Sequence, residues 1–229
     1  MLKKQLIAAS LFGLFSASSQ ADVTLTLTNL TQGIYFTPVI AGSHDSGASI
    51  FSVTEAASSE LTALAEGGDI SGVNTLLAAA GADVVENPAA GLLAPASSTT
   101  FILEDNDYIS LAAMMLPTND GFVGLDSWEV PSEAGTYTVY LNAYDAGTEA
   151  NNELVVEGAG APGIAGIPAA PGGDAGTGGS GLTDTLSNTN VHIHPGVLGD
   201  SNEEGGISDL DNTVHRWLNP VAKLIVVVE

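Results

Sequence analysis

Residues 23–28 read Val-Thr-Leu-Thr-Leu-Thr. Strict alternation of apolar and hydroxyl side chains has the two-residue period of a strand with one face buried and one wet. It predicts Val23, Leu25 and Leu27 pointing inward. The same kind of run recurs along the chain. Tyr35 to Ile40 reads as a second strand after a turn at Gly33, and 98–104 as a third with Phe101 and Leu103 on one face. Tyr108 to Leu116 is apolar almost throughout, as a central strand covered on both faces should be. Phe122 to Trp128, Thr136 to Ala143 and the β-branched Val221 to Val228 complete the set. Two segments break the pattern. Ser59–Ala65 and Ser71–Ala80 have helical spacing and Ser N-caps, with Gly67-Gly68 between them. Gly158–Leu182 is Gly, Ala and Pro with almost nothing to bury, which predicts a flexible excursion inside the domain. The fold class is therefore all-β: an antiparallel β-sandwich with two short peripheral helices and a Gly/Ala/Pro-rich loop insertion.

The chain begins with Lys3 and Lys4, an apolar run from Leu6 to Phe15, and Ser19-Gln20-Ala21. That is the pattern of an export signal cleaved before Asp22, so the expected domain is 22–229, secreted or periplasmic. An apolar run this short does not span roughly 30 Å of hydrocarbon as a helix, so no membrane insertion is expected after cleavage. There is no Cys, hence no disulfide, and the core alone must hold an exported chain together.

Charge excludes several functions. Beyond residue 21 the cations are Arg216 and Lys223, against 27 carboxylates. No basic patch can form, which argues against nucleic acid, anionic lipid and sulfated polysaccharide as partners. The acidic surface is either simple solvation or, at some points, carboxylates grouped to hold cations.

Two loops fit the second reading. Asp120 follows the run 108–116, and Asp145 follows the run 136–143, with Glu149 four residues on across Ala-Gly-Thr. In an up-down-up meander both runs travel the same way, so Asp120 and Asp145 fall at one end of the sheet. A like pair of charges at 4 Å costs about 4 kcal/mol at an effective dielectric near 20, so grouped carboxylates need a cation. Oxygen ligands without Cys suit calcium, completed by carbonyls and waters. Solvated turn aspartates are the alternative. Asp126 lies six residues beyond Asp120 along a strand, about 20 Å away, and is an outside candidate only.

His192 and His194 flank Ile193, so on a strand both imidazoles share a face and could meet a zinc or copper ion in a metal-dependent enzyme. Capping and solvated histidines are the alternative. His44-Asp45-Ser46 is not a triad, and no Gly-x-Ser-x-Gly elbow is present. Asp200, Glu203 and Glu204 form an acidic loop that reads as solvated, or as a weak second cation site. Trp128 and Trp217 read as packing residues.

Three ordered stretches resemble the spondin N-terminal domain family, found in F-spondin, mindin and many exported bacterial proteins. They are Met115-Leu116-Pro117-Thr118-Asn119-Asp120-Gly121-Phe122-Val123-Gly124, Asp145-Ala146-Gly147-Thr148-Glu149, and Arg216-Trp217-Leu218-Asn219-Pro220-Val221-Ala222. The resemblance spans essentially all of 22–229. It implies a C2-like β-sandwich with calcium at one end, the ligand positions falling on Asp120, Asp145 and Glu149. Gly121 stands where animal members carry Trp, and Glu149 where they usually carry Asp. Animal members use disulfides and bind matrix components or integrins, and those specificities do not transfer to a chain without Cys or basic surface. The expected function is a non-enzymatic, calcium-binding exported domain that mediates cell-surface or matrix interaction with an extracellular protein or polysaccharide. A structural envelope protein without a ligand is the plainer alternative.

Overall fold

The computed structural model describes residues 22–104 and 106–229, so the export signal expected at 1–21 lies outside the described residues. The elements run β1 (Val23–Asn29), β2 (Tyr35–Phe36), β3 (Ile40–His44), α1 (Ser59–Gly67), α2 (Ser71–Ala79), β4 (Asp83–Glu86), β5 (Ser98–Leu103), β6 (Tyr108–Leu116), β7 (Gly121–Glu129), β8 (Gly135–Asp145), β9 (His192–Ile193) and β10 (Ala222–Val228). The strands hydrogen-bond in the order β4-β3-β6-β7-β8-β10-β1-β5, with β2 added to β6 and β9 to β8. Each strand pairing is antiparallel. The two ends of this path approach one another where Glu104 N–H donates to Asp83 Oδ2 at 2.8 Å, so the sheet nearly closes.

The long strand β8 is the seam of the sandwich. Residues 135–141 pair with β10 in one layer, and residues 142–145 pair with β7 in the other. Between the layers lies the main core: Leu25, Leu27, Phe101, Leu103, Ile109, Leu111, Val123, Leu224 and Val226 among others. The alternation read in β1 holds, with Val23, Leu25 and Leu27 buried and the threonines between them half-exposed. All of β6 after Tyr108 is buried, one side in the main core and the other against a second core under the helices, as a doubly covered strand requires.

Elsewhere the structure corrects the reading. The run Tyr35–Ile40 is two strands, because Pro38 has no N–H to give a ladder and the chain re-registers there. The first helix is capped by Ser58, whose Oγ accepts from Leu61 N–H, and ends at Gly68 in the left-handed region. The second has Ile70 at its N-cap with no side-chain cap bond, so Ser71 does not cap it, and Asp69 Oδ1 accepts from Ser71 N–H instead. The four-residue β4 and the two-residue β9 carry too little pattern to be read.

The Gly/Ala/Pro-rich insertion is tied down by its backbone. Val155 bridges Ile167, and Ile167 is fully buried against Val197 and Leu210. Asp209 accepts Val155 N–H and Gly179 N–H on its two oxygens. Buried Glu153 accepts Leu198 N–H, Gly199 N–H and the Ser208 hydroxyl. The carboxylates that hold this lobe together come from outside the Gly-rich stretch, which is why its composition does not reveal them. Among the described residues no helix is long and apolar enough to cross a membrane.

Candidate metal centre

The meander β6-β7-β8 sets the geometry. Gly121 is the register partner of Asp145, and Asp145 in turn pairs with His192 of β9. Thr118 builds the turn before Asp120: its hydroxyl donates to Met115 O at 2.6 Å and accepts Gly121 N–H at 3.0 Å. Asp120 is fully buried there, and its backbone O accepts Ala146 N–H at 3.1 Å. Its Oδ2 accepts Thr148 N–H at 2.8 Å, Glu149 N–H at 3.1 Å and the Thr148 hydroxyl at 3.2 Å. Its Oδ1 is buried with no partner among the described residues. Burial, and then the neighbouring charge of Asp145, pushes the Asp120 carboxyl up to about 7 despite the N–H groups that favour its anion.

Asp145 closes β8 and is also buried. Its Oδ1 accepts Gly147 N–H at 2.8 Å, and its Oδ2 accepts the Asn151 amide at 2.7 Å. His192 Nε2 stands 3.7 Å from Asp145 Oδ2 while its Nδ1 faces Asn190 O at 2.8 Å. Glu149 reaches the cluster through its backbone, but its carboxylate is engaged elsewhere: Oε2 accepts Gly166 N–H at 2.8 Å and the Asn119 amide at 3.3 Å. Burial raises its pKa. Asp145, Glu149, Asn151 and His192 line a cavity of about 90 Å³. Among the described residues no three His, Asp or Glu side chains converge as a three-ligand metal shell requires. The structure thus brings Asp120 and Asp145 together and turns the Glu149 carboxylate toward the insertion.

His194 follows β9, and its N–H donates to Ala143 O at 3.1 Å. It is buried, tilted against Trp217 with ring centroids 5.0 Å apart, and its Nδ1 accepts Gly196 N–H at 3.0 Å. Its Nε2 has no partner among the described residues. Burial brings its pKa down to about 4, against the pull of Asp145, so the ring is neutral at pH 7.

A family sequence profile, Spondin_N, matches residues 28–154. The chain belongs to the Spondin_N family. The match takes in Asp120, Asp145 and Glu149, but it stops before the insertion, so the Arg216–Ala222 stretch and both site histidines lie beyond it. The matched span is shorter than the 22–229 over which the resemblance was read. No curated protein matches the chain.

The remaining candidates of this spondin domain sit apart from the Asp120–Asp145 end. Asp126 accepts Ile50 and Phe51 N–H on one oxygen and the Ser49 and Ser127 hydroxyls on the other, tying a loop to β7. His44 is buried between Asp45 O and the Ser110 hydroxyl. Asp200 accepts Asn202, Ile207 and Ser208 N–H, which lowers its pKa, the Asn202 bond most. Asn119, Asn151 and Thr148, to which the sequence reading gave no role, organise the site. Their signal is weak, since amides and hydroxyls next to Asp-Gly sequences are what any turn contains.

Proposed function

We propose that this spondin domain is an exported, non-enzymatic module for cell-surface or matrix interaction, stabilised by calcium at the Asp120–Asp145 end. Membership of the family supports the extracellular, adhesion-related part of the reading. The observation that carries the cation is Asp120 Oδ1, a buried carboxylate oxygen without a donor among the described residues, beside a second buried carboxylate. A buried unpaired acceptor costs about 1–3 kcal/mol or more, and a hard divalent cation removes both that cost and the repulsion. Asp120 and Asp145 would supply the charged ligands. Asn151 already stands at Asp145 through its amide, and Glu149 would join by exchanging its Gly166 bond for the ion.

Thermal melting with calcium and with EDTA tests this. Free calcium at 100 times Kd adds about 2.7 kcal/mol, roughly 5–10 °C for a chain of this size. The shift should vanish in Asp120→Asn and Asp145→Ala. Equal midpoints for the native chain in both conditions would remove calcium from the reading.

A zinc or copper centre on His192 and His194 is favoured by one observation, a His194 Nε2 without a partner among the described residues. Elemental analysis separates the two: stoichiometric zinc or copper, lost in His194→Ala, would replace calcium.

A further inference from the structure

Among the described residues, helices cover the outer surface of the sandwich on one half only. Helices α1 and α2 lie over β3, β4, β6 and β7, with Ile40, Ala112 and Phe122 beneath Leu61, Leu64, Val73 and Leu77. Along β8 that same outer side passes from Tyr144, stacked near Phe51 and Phe122, through Asn142 to Tyr140, which is 60% exposed. Beyond it, over β10, β1 and β5, neither α1 nor α2 packs, among the described residues.

The bare half is a grid whose register is fixed. One row is Ile102–Thr24–Val227–Thr136, the next Thr100–Thr26–Ile225–Thr138, and the third Ser98–Thr28–Lys223–Tyr140. Seven of these twelve side chains are Ser or Thr, and none is acidic, in a chain with 27 carboxylates. Lys223 is one of four Lys and Arg residues in the sequence, and it stands on this face. Cross-strand hydroxyl pairs hold the rows in place: Thr26 to Thr100 at 3.0 Å and Thr28 to Ser98 at 2.8 Å. Each hydroxyl retains capacity for a further bond.

The occupant follows from charge and area. Four strands about 4.8 Å apart and six residues of about 3.4 Å rise give roughly 400 Å². A stable protein interface needs about 800 Å² per partner, so a second copy is not favoured, and two strongly acidic chains also repel. An anionic ligand meets the same repulsion, with one lysine against it. An apolar ligand would strand the hydroxyls. A neutral ligand that offers hydroxyls and C–H surface in a repeating array matches a face that alternates hydroxyls with methyl groups and ends on a tyrosine ring. We infer that the exposed β5-β1-β10-β8 face binds an uncharged polysaccharide. The inference rests on reading the domain as an interaction module, and is independent of the cation.

The test is retention of the purified protein on insoluble cellulose and chitin and in gels containing a soluble neutral β-glucan, with alginate as the acidic control. Retention on at least one neutral polymer is expected, reduced tenfold or more by Thr26→Glu combined with Thr138→Glu and unchanged by Thr75→Glu on α2. Tyr140→Ala, at an exposed position, should weaken it severalfold and covers the case in which the double variant fails to fold. Retention should persist in EDTA below the melting point of the cation-free protein. No retention on any neutral polymer would overturn the proposal. So would retention that both face variants keep, retention lost in EDTA alone, stronger retention on alginate, or a dimer in sedimentation that the face variants dissociate. Failure of the calcium reading would appear only in the melting experiment, so the two are distinguishable.

Discussion

Asp120 is held against Asp145 by one rung of the sheet: Gly121 pairs with Asp145, and Asp120 O accepts the N–H of Ala146 at 3.1 Å. Two buried carboxylates thus share one end of the meander, and one of them carries an oxygen with no donor among the described residues. Asp120 is driven up to about 7 by burial and then by Asp145. A carboxyl with a raised folded pKa stabilises the fold fully below its unfolded value, near 3.8, and that contribution is lost as pH rises through about 7. In EDTA, the native chain should therefore lose stability between pH 4 and pH 8 relative to Asp120→Asn. Calcium binds the ionised form and should erase that loss, and its apparent affinity should weaken as pH falls below 7. Parallel melting curves for the two proteins in EDTA across this window would refute the assignment.

That much of the site was legible because it depends on long strands. The runs 108–116 and 136–143 are strong enough to fix direction, and direction alone puts Asp120 and Asp145 together. The carboxylate of Glu149 was not legible, because its partner Gly166 sits in a segment with no readable pattern. His194 was seen only as half of a histidine pair. Its burial depends on the two-residue β9 docking on β8 and on Trp217 folding over it, neither of which leaves periodicity in the sequence. Pro38 splits one expected strand, and Glu153 and Asp209 anchor a lobe that composition described as having little to bury. Backbone donors satisfied by distant carboxylates are invisible to any local reading.

Gly147 shapes the loop that carries both Asp145 and Glu149. Its φ of 71° is in the left-handed region, and an added Cβ would lie 2.8 Å from the backbone N and O of Asn190. Gly147→Ala should cost at least about 1–3 kcal/mol through strain, before any displacement of Asn190. Urea unfolding should show a lower midpoint with an unchanged slope. Calcium affinity should fall with it, since Asp145 Oδ1 is oriented by Gly147 N–H. Unaltered urea midpoint and affinity would mean that the loop re-forms around a side chain.

Glu153 binds the late loops to the insertion from a backbone φ of 57°. Its two oxygens accept Leu198 N–H at 2.6 Å, Gly199 N–H at 2.8 Å and Ser208 Oγ–H at 2.6 Å. Glu153→Gln replaces one acceptor with a donor facing donors, and a bond to a charged group contributes about 1.5–3 kcal/mol. Amide exchange should accelerate around residues 197–210 and in the insertion, while β1 and β10 keep their protection. Uniform acceleration across the chain would show that the lobe is not a separate unit of local opening.

His194 gives pH dependence of the opposite sign. Burial lowers its pKa to about 4, so it stays neutral in the fold while the unfolded chain takes up a proton near 6.5. A depressed folded pKa contributes stability that is present above the unfolded value and lost as pH falls through the folded one, so the window is pH 6.5 down to 4. His215 is lowered by burial as well and acts with the same sign, which makes comparison with a variant necessary. Melting of the native chain in EDTA should fall more steeply over this window than melting of His194→Phe, which keeps a ring beside Trp217. The imidazole resonances of His194 should stay in their neutral positions until about pH 4. A titration midpoint near 6.5 for that ring would show that it is solvated, and would return Nε2 to an ordinary partner in water.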